Sequence, residues 1–302
     1  MFGGISLGCG NFGGVGSAPA FFGQGIPEDE AYAIMDRAWA HGLHWFDTGD
    51  AYGGGSSETW IGRWIADRGH TPVLTTKVFH STTGDPEDTG LAPDRIRRQL
   101  ASSLARLGVE SVDLYLAHEP DERTPLGETI ACFQELEADG LIGAWGISNY
   151  DGAGVEEALT YGRPALVQNT YSLLDRTDEA DVLPLCRREE IPYIPFGPLS
   201  GGWLTGKYRR GEPYPEGSRM TQRPGPYERL ATDAVFGGLE QLEAEAEARG
   251  VSIAALAFAW VLGRVDGAVC GPNTAAQLDP VLVARDLQLT PDDLDRIGGF
   301  FK

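Results

Sequence analysis

The segment HWFDTGDAYGGGSSETWIG, residues 44–62, begins with an apolar run and then carries Asp47 and Tyr52. A short apolar run that is followed by Gly, Asp and Thr residues is typical of a buried β-strand. The carboxylate and the phenol therefore lie where the predicted strand leaves the core. Whether they belong to a functional site depends on the polar residues that end the other strands of the chain.

The rest of the chain alternates between short β-rich runs and amphipathic segments of helical length. The predicted strands are residues 5–10, 43–48, 73–78, 112–118, 143–148, 166–171, 192–197 and 267–271. The predicted helices include residues 28–41, 57–68, 93–107, 125–139, 151–160, 179–190, 234–249, 252–263 and 274–285. Eight β/α units in 302 residues match a (β/α)8 TIM barrel of the α/β class, which we predict as a single domain over residues 1–302.

Helix boundaries and strand direction follow from local signals. Pro93 and Pro125 are predicted to occupy first helical positions, because proline lacks the N–H that is unpaired there anyway. Strands that are joined through helices do not form hairpins, so the sheet is predicted to be parallel. Five glycines are predicted to lie just past the last turn of a helix: Gly42, Gly69, Gly108, Gly140 and Gly250.

Two other architectures compete with the barrel. A doubly wound sheet usually carries G-x-G-x-x-G after its first strand, and LGCGNFGG at residues 7–14 has glycines there. The next predicted helix begins only near Glu28, too far away for that motif. The Gly- and Pro-rich segment 205–230 is either a linker between two domains or a long loop over the barrel mouth, and the β/α pattern that resumes after it favours the loop.

Composition narrows the class of protein. The formal net charge of −20 argues against nucleic acid and against an anionic membrane as a partner, because both would repel such a surface. The four cysteines lie far apart, without C-x-x-C or zinc-ligand spacing, so no disulfide framework and no metal site is predicted. The N-terminus has no basic segment followed by a long apolar run, which predicts a cytoplasmic protein. The sequence does not indicate an oligomeric state.

Polar residues end several of the predicted strands. Strand two ends at Asp47, strand three at Lys77 and strand four at His118, each as the last residue on one face of its strand. Further polar residues end strands five and six: Ser148, Asn149, Gln168 and Asn169. Because barrel enzymes carry their chemistry at the carboxyl ends of the strands, we predict that these side chains share one site.

Asp47, Tyr52, Lys77 and His118 together suit proton transfer to a carbonyl oxygen. An ammonium about 4 Å from a phenol stabilises the phenolate by up to about 4 kcal/mol, or about three pKa units, so Lys77 is expected to lower the pKa of Tyr52. Asp47 is expected to hold that ammonium, and His118 to donate a hydrogen bond or pass a proton. None of these side chains supplies a hydride, so a redox reaction requires a nicotinamide cofactor.

Six ordered blocks of the sequence resemble the signature segments of the aldo-keto reductases: FDTGDAYGGGSSETWIG, LTTKV, VDLYLAHEPD, GAWGISNY, VQNTYSLLDR and PFGPLSGGWLTGKY. The resemblance runs through nearly the whole chain. It implies a TIM barrel and an NADP(H)-dependent, metal-free reductase of aldehydes or ketones. The family's catalytic set falls on Asp47, Tyr52, Lys77 and His118, with Tyr52 as the general acid.

The same resemblance implies a set of cofactor-binding residues. They are Ser148, Asn149, Gln168, Phe196, Leu199, Ser200, Gly202, Lys207, Arg219, Gly271, Asn273 and Gln277. Three features depart from the family pattern. Gly197 replaces a frequent Ser, Asn273 and Thr274 replace a frequent Lys or Arg at the 2′-phosphate, and Pro280 with Val281 replaces Glu-Asn at the adenine. The cofactor is therefore predicted to be NADPH, with NADH also accepted.

The substrate is predicted to be a small carbonyl compound. Aromatic residues near the rim of a barrel line a substrate funnel or, at least as often, pack in the core. The seven candidates are Phe12, Phe21, Phe22, Tyr52, Phe79, Tyr171 and Trp203. Two other functions compete with a reductase. Some members of the superfamily bind the cofactor and act as regulatory subunits of ion channels. A metal-dependent hydrolase requires clustered ligands, and the five histidines offer no H-x-H pair.

Overall fold

The computed structural model of the protein describes residues 2–301 and, within them, one sheet of seven parallel strands. The strands are β1 (Gly4–Gly8), β2 (Trp45–Asp47), β3 (Val73–Val78), β4 (Leu114–Ala117), β5 (Trp145–Ser148), β6 (Val167–Gln168) and β7 (Gly267–Cys270). Their order across the sheet is β6-β5-β4-β3-β2-β1-β7, and every neighbouring pair is parallel. The predicted parallel α/β architecture is confirmed, although most strands are shorter than predicted.

Helices connect the strands. They are α1 (Glu28–Ala40), α2 (Ser56–Arg68), α3 (Pro93–Leu107), α4 (Leu126–Ala138), α5 (Gly152–Tyr161), α6 (Val182–Arg188), α7 (Arg219–Gln222), α8 (Asp233–Ala248), α9 (Ile253–Leu262), α10 (Asp279–Asp286) and α11 (Pro291–Gly298). The five glycines predicted to follow helices all have positive φ angles, which glycine adopts at little cost. Within residues 2–301, no helix combines the length and the apolar character needed to cross a bilayer.

Several helix predictions need correction. Pro125 caps α4 from outside instead of starting it, and α6 is shorter than the predicted 179–190. The predicted helix 274–285 is interrupted, because a 3₁₀ turn at Ala275–Leu278 precedes α10. Helix α11 was not predicted, although Thr290 and Asp293 form a capping box at its start.

The predicted seventh strand, residues 192–197, is not a regular strand. It forms only isolated bridges to the β6 side, through Tyr193 and Phe196. Pro192 and Pro195 have no N–H to donate, which prevents a continuous hydrogen-bond ladder. Their carbonyl oxygens still accept hydrogen bonds, from Val167 N at 3.0 Å and from Val269 N at 2.8 Å. Both outer strands of the sheet thus contact this segment, so the sheet is curled, and it does not close through regular strands.

The strand registers bring the predicted rim residues together. Asp47 at the end of β2 pairs with Gly8 on one side and Thr75 on the other. Lys77 lies two residues beyond Thr75 on the same face of β3, so both side chains point into the curled sheet. Below them the interior is filled by a small apolar cluster of Trp45, Leu114, Leu116, Leu166, Ile194 and Val269. The polar side chains at the strand ends therefore lie above a layer of apolar side chains that fills the interior of the curled sheet.

The helices cover the outer face of the sheet. Ile34 of α1, Ile61 and Trp64 of α2, and Phe46 of β2 are fully buried in the main core between the two layers. Burying a side chain of this size contributes about 1.5–3 kcal/mol each, so this layer holds the strand ends in place. Three of the proposed funnel residues, Phe12, Tyr171 and Trp203, also lie in this core with no exposed surface. The prediction that they line a substrate funnel is wrong, because packing takes up their apolar surface.

Candidate active site

A buried ion pair lies at the carboxyl ends of β2 and β3. Lys77 Nζ donates to Asp47 Oδ1 at 2.5 Å and to the Thr48 carbonyl oxygen at 2.7 Å. The Gln168 amide donates to the other Asp47 oxygen at 2.8 Å. Lys77 and Asp47 are 1% and 3% exposed, so neither charge is screened by water. Although burial lowers it, Asp47 and Tyr52 raise the pKa of Lys77 above its ordinary value, and Lys77 is therefore an ammonium.

The Tyr52 hydroxyl lies between Lys77 and His118. It is 3.4 Å from Lys77 Nζ and 3.4 Å from His118 Nε2. Burial raises the pKa of Tyr52 above its ordinary value, Lys77 opposes this rise, and Asp47 adds to it. Lys77 lowers the pKa of this phenol as expected, but desolvation outweighs the ammonium, so the net shift is upward and not downward. At neutral pH Tyr52 is therefore a protonated phenol with a cation beside it.

His118 is a neutral imidazole in this arrangement. Burial, followed by the nearby charges of Lys77 and His80, lowers the pKa of His118 well below its ordinary value. Its ring meets the Tyr52 ring edge-on, with centroids 5.4 Å apart. A neutral imidazole offers one donor and one acceptor, so His118 can hydrogen-bond an oxygen next to the Tyr52 hydroxyl.

The three glycines after Tyr52 fix its position. Gly53, Gly54 and Gly55 all have positive φ angles, which turn the chain tightly into α2. A Cβ on Gly53 would lie 2.5 Å from the Phe12 carbonyl oxygen, so only glycine fits against the β1 loop. The apolar strand and the glycine turn in residues 44–62 thus place the carboxylate and the phenol on the same side of Lys77.

A cleft of about 540 Å³ opens beside this group. It runs from Asp47 and Tyr52 towards the ends of β1 and β7. The residues of the predicted site that line it are Asp47, Tyr52, Gln168, Phe196, Leu199, Gly202, Lys207, Arg219, Gly271, Asn273 and Gln277. Eleven of the sixteen predicted residues therefore share one concavity, although they come from seven separate parts of the chain.

Two cations project from the wall formed by residues 197–230. Lys207 packs over Gly202, where an added Cβ would lie 2.4 Å from the ammonium. Arg219 donates to the Asn11 side chain. Burial lowers the pKa of both groups, and for Lys207 repulsion from Arg219 adds to the shift. Among residues 2–301 neither cation pairs with a carboxylate, so this wall is suited to an anionic group.

Asn273 and Gln277 form the far end of the cleft. The Asn273 N–H donates to Gln277 Oε1 at 2.8 Å, and its side chain accepts from Asn11 Nδ2 at 2.7 Å. Pro280 and Val281 line the same end. The hydrogen bonds link β1, β7 and, through Arg219, segment 205–230 across one opening.

Five predicted residues do not line the cleft. Lys77 and His118 lie behind Tyr52, in contact with it. Asn149 donates to the His118 carbonyl oxygen at 2.9 Å and to Ser148 at 3.2 Å, so this pair backs the site. Ser200 is directed elsewhere, with its hydroxyl 2.7 Å from that of Ser172. Asn149 and Ser200 have positive φ angles, a strained backbone conformation that often occurs at functional sites.

Sequence reasoning missed Asn11 and Tyr227. Asn11 follows the first predicted strand, and a polar residue at the end of a barrel strand indicates a functional site. The glycines around Asn11 instead suggested a comparison with the G-x-G-x-x-G motif. Tyr227 belongs to segment 205–230, and a Cβ on Gly201 would lie 2.5 Å from its ring. No strand pattern indicates its position, because a long loop carries no periodicity.

Comparisons with known proteins identify the family of this chain. The model of the Aldo/keto reductase family matches residues 4–300. The chain belongs to this family. An aldo/keto reductase relative from Escherichia coli, the NADH-specific methylglyoxal reductase, is 31% identical over 92% of this chain and 89% of its own length. A putative voltage-gated potassium channel subunit beta of Schizosaccharomyces pombe is 32% identical over 91% of this chain and 85% of its own.

A solved aldo/keto reductase structure gives the same result for the fold. The glycerol dehydrogenase AKR11B4 from Gluconobacter oxydans superposes with a TM-score of 0.86 at 28% identity, covering 98% of this chain and 90% of its own. The protein is thus a member of the aldo/keto reductase family with a parallel curled α/β sheet, and oxidoreductases are among its relatives.

Proposed function

We propose that the protein is an NAD(P)H-dependent oxidoreductase that reduces an aldehyde or ketone to an alcohol, with Tyr52 as the general acid. The observation that carries this proposal is the Tyr52 hydroxyl, 3.4 Å from both Lys77 Nζ and His118 Nε2, beside a cleft with two unpaired cations among the described residues. A nicotinamide dinucleotide bound in the cleft supplies the hydride.

Each side chain has a separate role in the proposed reaction. His118 donates a hydrogen bond to the carbonyl oxygen and holds it against the Tyr52 hydroxyl. Tyr52 gives its proton as negative charge develops on that oxygen, and the ammonium of Lys77 stabilises the phenolate that remains. Asp47 and Thr48 hold Lys77 in place, and Gln168 orients Asp47.

The residues of the cleft fit a dinucleotide. Lys207 and Arg219 supply two cations for its phosphates, and Gly201 and Gly202, with φ angles of 63° and 92°, bring the backbone close to the opening. Phe196 and Gln168 line the same cleft as Tyr52, and we propose that they hold the nicotinamide. We propose that Ser148 and Asn149 support the nicotinamide end of the dinucleotide. The residues proposed to bind the rest of the dinucleotide are Leu199, Ser200, Gly271, Asn273 and Gln277.

The same proposal extends to the architecture. We infer that residues 192–197 take the place of the seventh strand of a (β/α)8 barrel in one domain, since they bond to β6 on one side and β7 on the other. Segment 205–230 covers the cofactor. We also propose a cytoplasmic location and a small-molecule carbonyl substrate as the only class of ligand besides the cofactor.

The experiment that tests the function is a panel of aldehydes, ketones and sugars, assayed by the loss of NADPH or NADH absorbance. We expect turnover with at least one carbonyl class. Tight nucleotide binding without turnover on any member of the panel would instead indicate the regulatory alternative. Undiminished turnover in the presence of a chelator is expected, because no catalytic step in the proposal uses a metal.

Cofactor preference is expected to be weak. Asn273 and Thr274 offer no cation to a 2′-phosphate, so that group loses a charge-assisted hydrogen bond. We expect NADPH to be used, with a kcat/KM less than about 10³ times that for NADH, which corresponds to about 4 kcal/mol. A larger ratio would show that another cation holds the phosphate. Arg219, which contacts Asn273 through Asn11, is the nearest candidate.

Gly202→Ala is expected to weaken dinucleotide binding about tenfold or more, the value of a hydrogen bond to a charged group. The new methyl group would displace Lys207, whose ammonium lies 2.4 Å from the Cβ position. Gly211→Ala is the matched control: its φ angle is also positive, at 74°, but nothing lies within 4 Å of its Cβ position. Fluorescence titration with NADPH measures both variants, and equal dissociation constants would contradict the role of Lys207.

A further inference from the structure

Two polar side chains lie beside His118, outside the cofactor cleft. His80 and His118 have ring centroids 4.8 Å apart, with the rings nearly perpendicular. His80 Nε2 is 3.6 Å from Glu119 Oε1, and these side chains are 30% and 37% exposed. We call His80 and Glu119 the rim pair. It is the solvent-facing neighbour of the proposed catalytic imidazole.

The rim pair is held in place by buried groups. Arg95, which is 5% exposed, donates to the His80 carbonyl oxygen at 2.8 Å and to that of Gly90 at 3.0 Å. The Phe79 ring meets the His80 ring edge-on, with centroids 5.2 Å apart. Glu119 follows directly on His118, which is the first residue after β4. His80, whose backbone oxygen is bound by Arg95 and whose ring packs on Phe79, is preorganised for binding and loses little conformational freedom.

The position of the rim pair fits the rest of the substrate. The reacting carbonyl oxygen must touch both Tyr52 and His118, while the dinucleotide occupies the cleft on the side of Asp47 and Phe196. The remainder of the substrate then extends past His118 towards solvent, where His80 and Glu119 lie. Phe12, Tyr171 and Trp203 do not line this path, since all three are buried in the core.

We propose that the rim pair selects hydroxylated aldehydes and ketones by hydrogen-bonding a hydroxyl group near the carbonyl. This inference rests on the proposed function. Glu119 accepts a hydrogen bond from the hydroxyl, and the His80 ring supplies a further donor or acceptor to it. A substrate that lacks the hydroxyl leaves both groups without this partner, which is how polar sites reject apolar analogues.

The test compares glyceraldehyde with propanal, which lacks both hydroxyl groups. We expect the wild-type kcat/KM to favour glyceraldehyde about 10- to 100-fold, the amount that one hydrogen bond to a charged group supplies. Glu119→Leu and His80→Leu are each expected to reduce this ratio about tenfold, mainly through the KM for glyceraldehyde. Glu119→Gln, which keeps an acceptor oxygen, should retain more of the preference than Glu119→Leu.

Glu122→Leu is the matched control, since Glu122 is an exposed carboxylate in the same loop. It removes the same charge and should leave the ratio unchanged. An unchanged ratio in Glu119→Leu and His80→Leu, with both aldehydes still reduced, would overturn the rim-pair inference and leave the proposed function standing. Failure of the wild type to reduce any carbonyl compound would instead reject the proposed function. A ratio that falls equally in Glu122→Leu would show a general charge effect and would also overturn the inference.

Discussion

Tyr52→Phe is expected to lower kcat for carbonyl reduction by about 10²-fold or more, the usual contribution of a positioned general acid. The variant loses only the hydroxyl that lies between Lys77 and His118. The phenyl ring still lies beside Gly10 and Gly49, where an added Cβ would be 3.5 Å and 3.4 Å from it, so the fold and the cleft should be unaffected. Steady-state kinetics on the best carbonyl substrate measures the effect.

Two further measurements make the Tyr52 result specific. NADPH affinity, measured by fluorescence titration, should stay near the wild-type value, because the hydroxyl is proposed to act on the substrate. Tyr227→Phe removes another phenol hydroxyl from the same cleft and should leave kcat within about threefold of wild type. Wild-type turnover in Tyr52→Phe would remove Tyr52 from the mechanism. An equal loss in Tyr227→Phe would mean that the cleft as a whole, and not the acid, had been disturbed.

Lys77→Met is expected to abolish turnover and to lower the free energy of unfolding by about 3–5 kcal/mol, the usual cost of leaving one charge of a buried pair uncompensated. Asp47 is 3% exposed and would lose the ammonium at 2.5 Å, keeping only the Gln168 amide as a side-chain donor. Urea or guanidinium unfolding followed by circular dichroism measures the change.

A double variant separates stability from activity. Asp47→Leu combined with Lys77→Met removes both charges and should recover most of the lost stability, because a buried pair replaced by apolar groups is often neutral. Its turnover should stay absent, since no cation faces Tyr52. Arg188→Met, at an exposed pair with Glu156, should stay within about 0.5 kcal/mol of wild type. Equal stability of Lys77→Met and wild type would show that the pair makes no net contribution.

The candidate site was predictable to the extent that it follows strand periodicity. Asp47, Lys77 and His118 lie at or next to the carboxyl ends of β2, β3 and β4, and parallel registers bring strand ends together whatever the loops do. The far wall of the cleft was less predictable. Arg219 and Tyr227 come from a long Gly- and Pro-rich segment whose path depends on packing against Asn11 and Gly201, which no local pattern encodes.

Two expectations were wrong for a common reason. The aromatic residues Phe12, Tyr171 and Trp203 were expected at the mouth and are in the core. The pKa of Tyr52 was expected to fall beside Lys77, and burial raises it instead. Both errors concern the solvent exposure of a side chain. The type of a residue is given by the sequence, but its exposure is not.

By itself, the sequence determined the alternation of strands and helices, the turn glycines and the identity of the polar residues at the strand ends. These depend on backbone preferences and on side-chain period, which act over a few neighbouring residues. Only the tertiary structure decided that Pro192 and Pro195 interrupt the predicted seventh strand, that Ser200 faces Ser172, and that His80 and Glu119 lie beside His118. Those outcomes depend on hydrogen bonding and desolvation between segments that are distant in the chain, which are set only when the sheet curls and the helices pack around it.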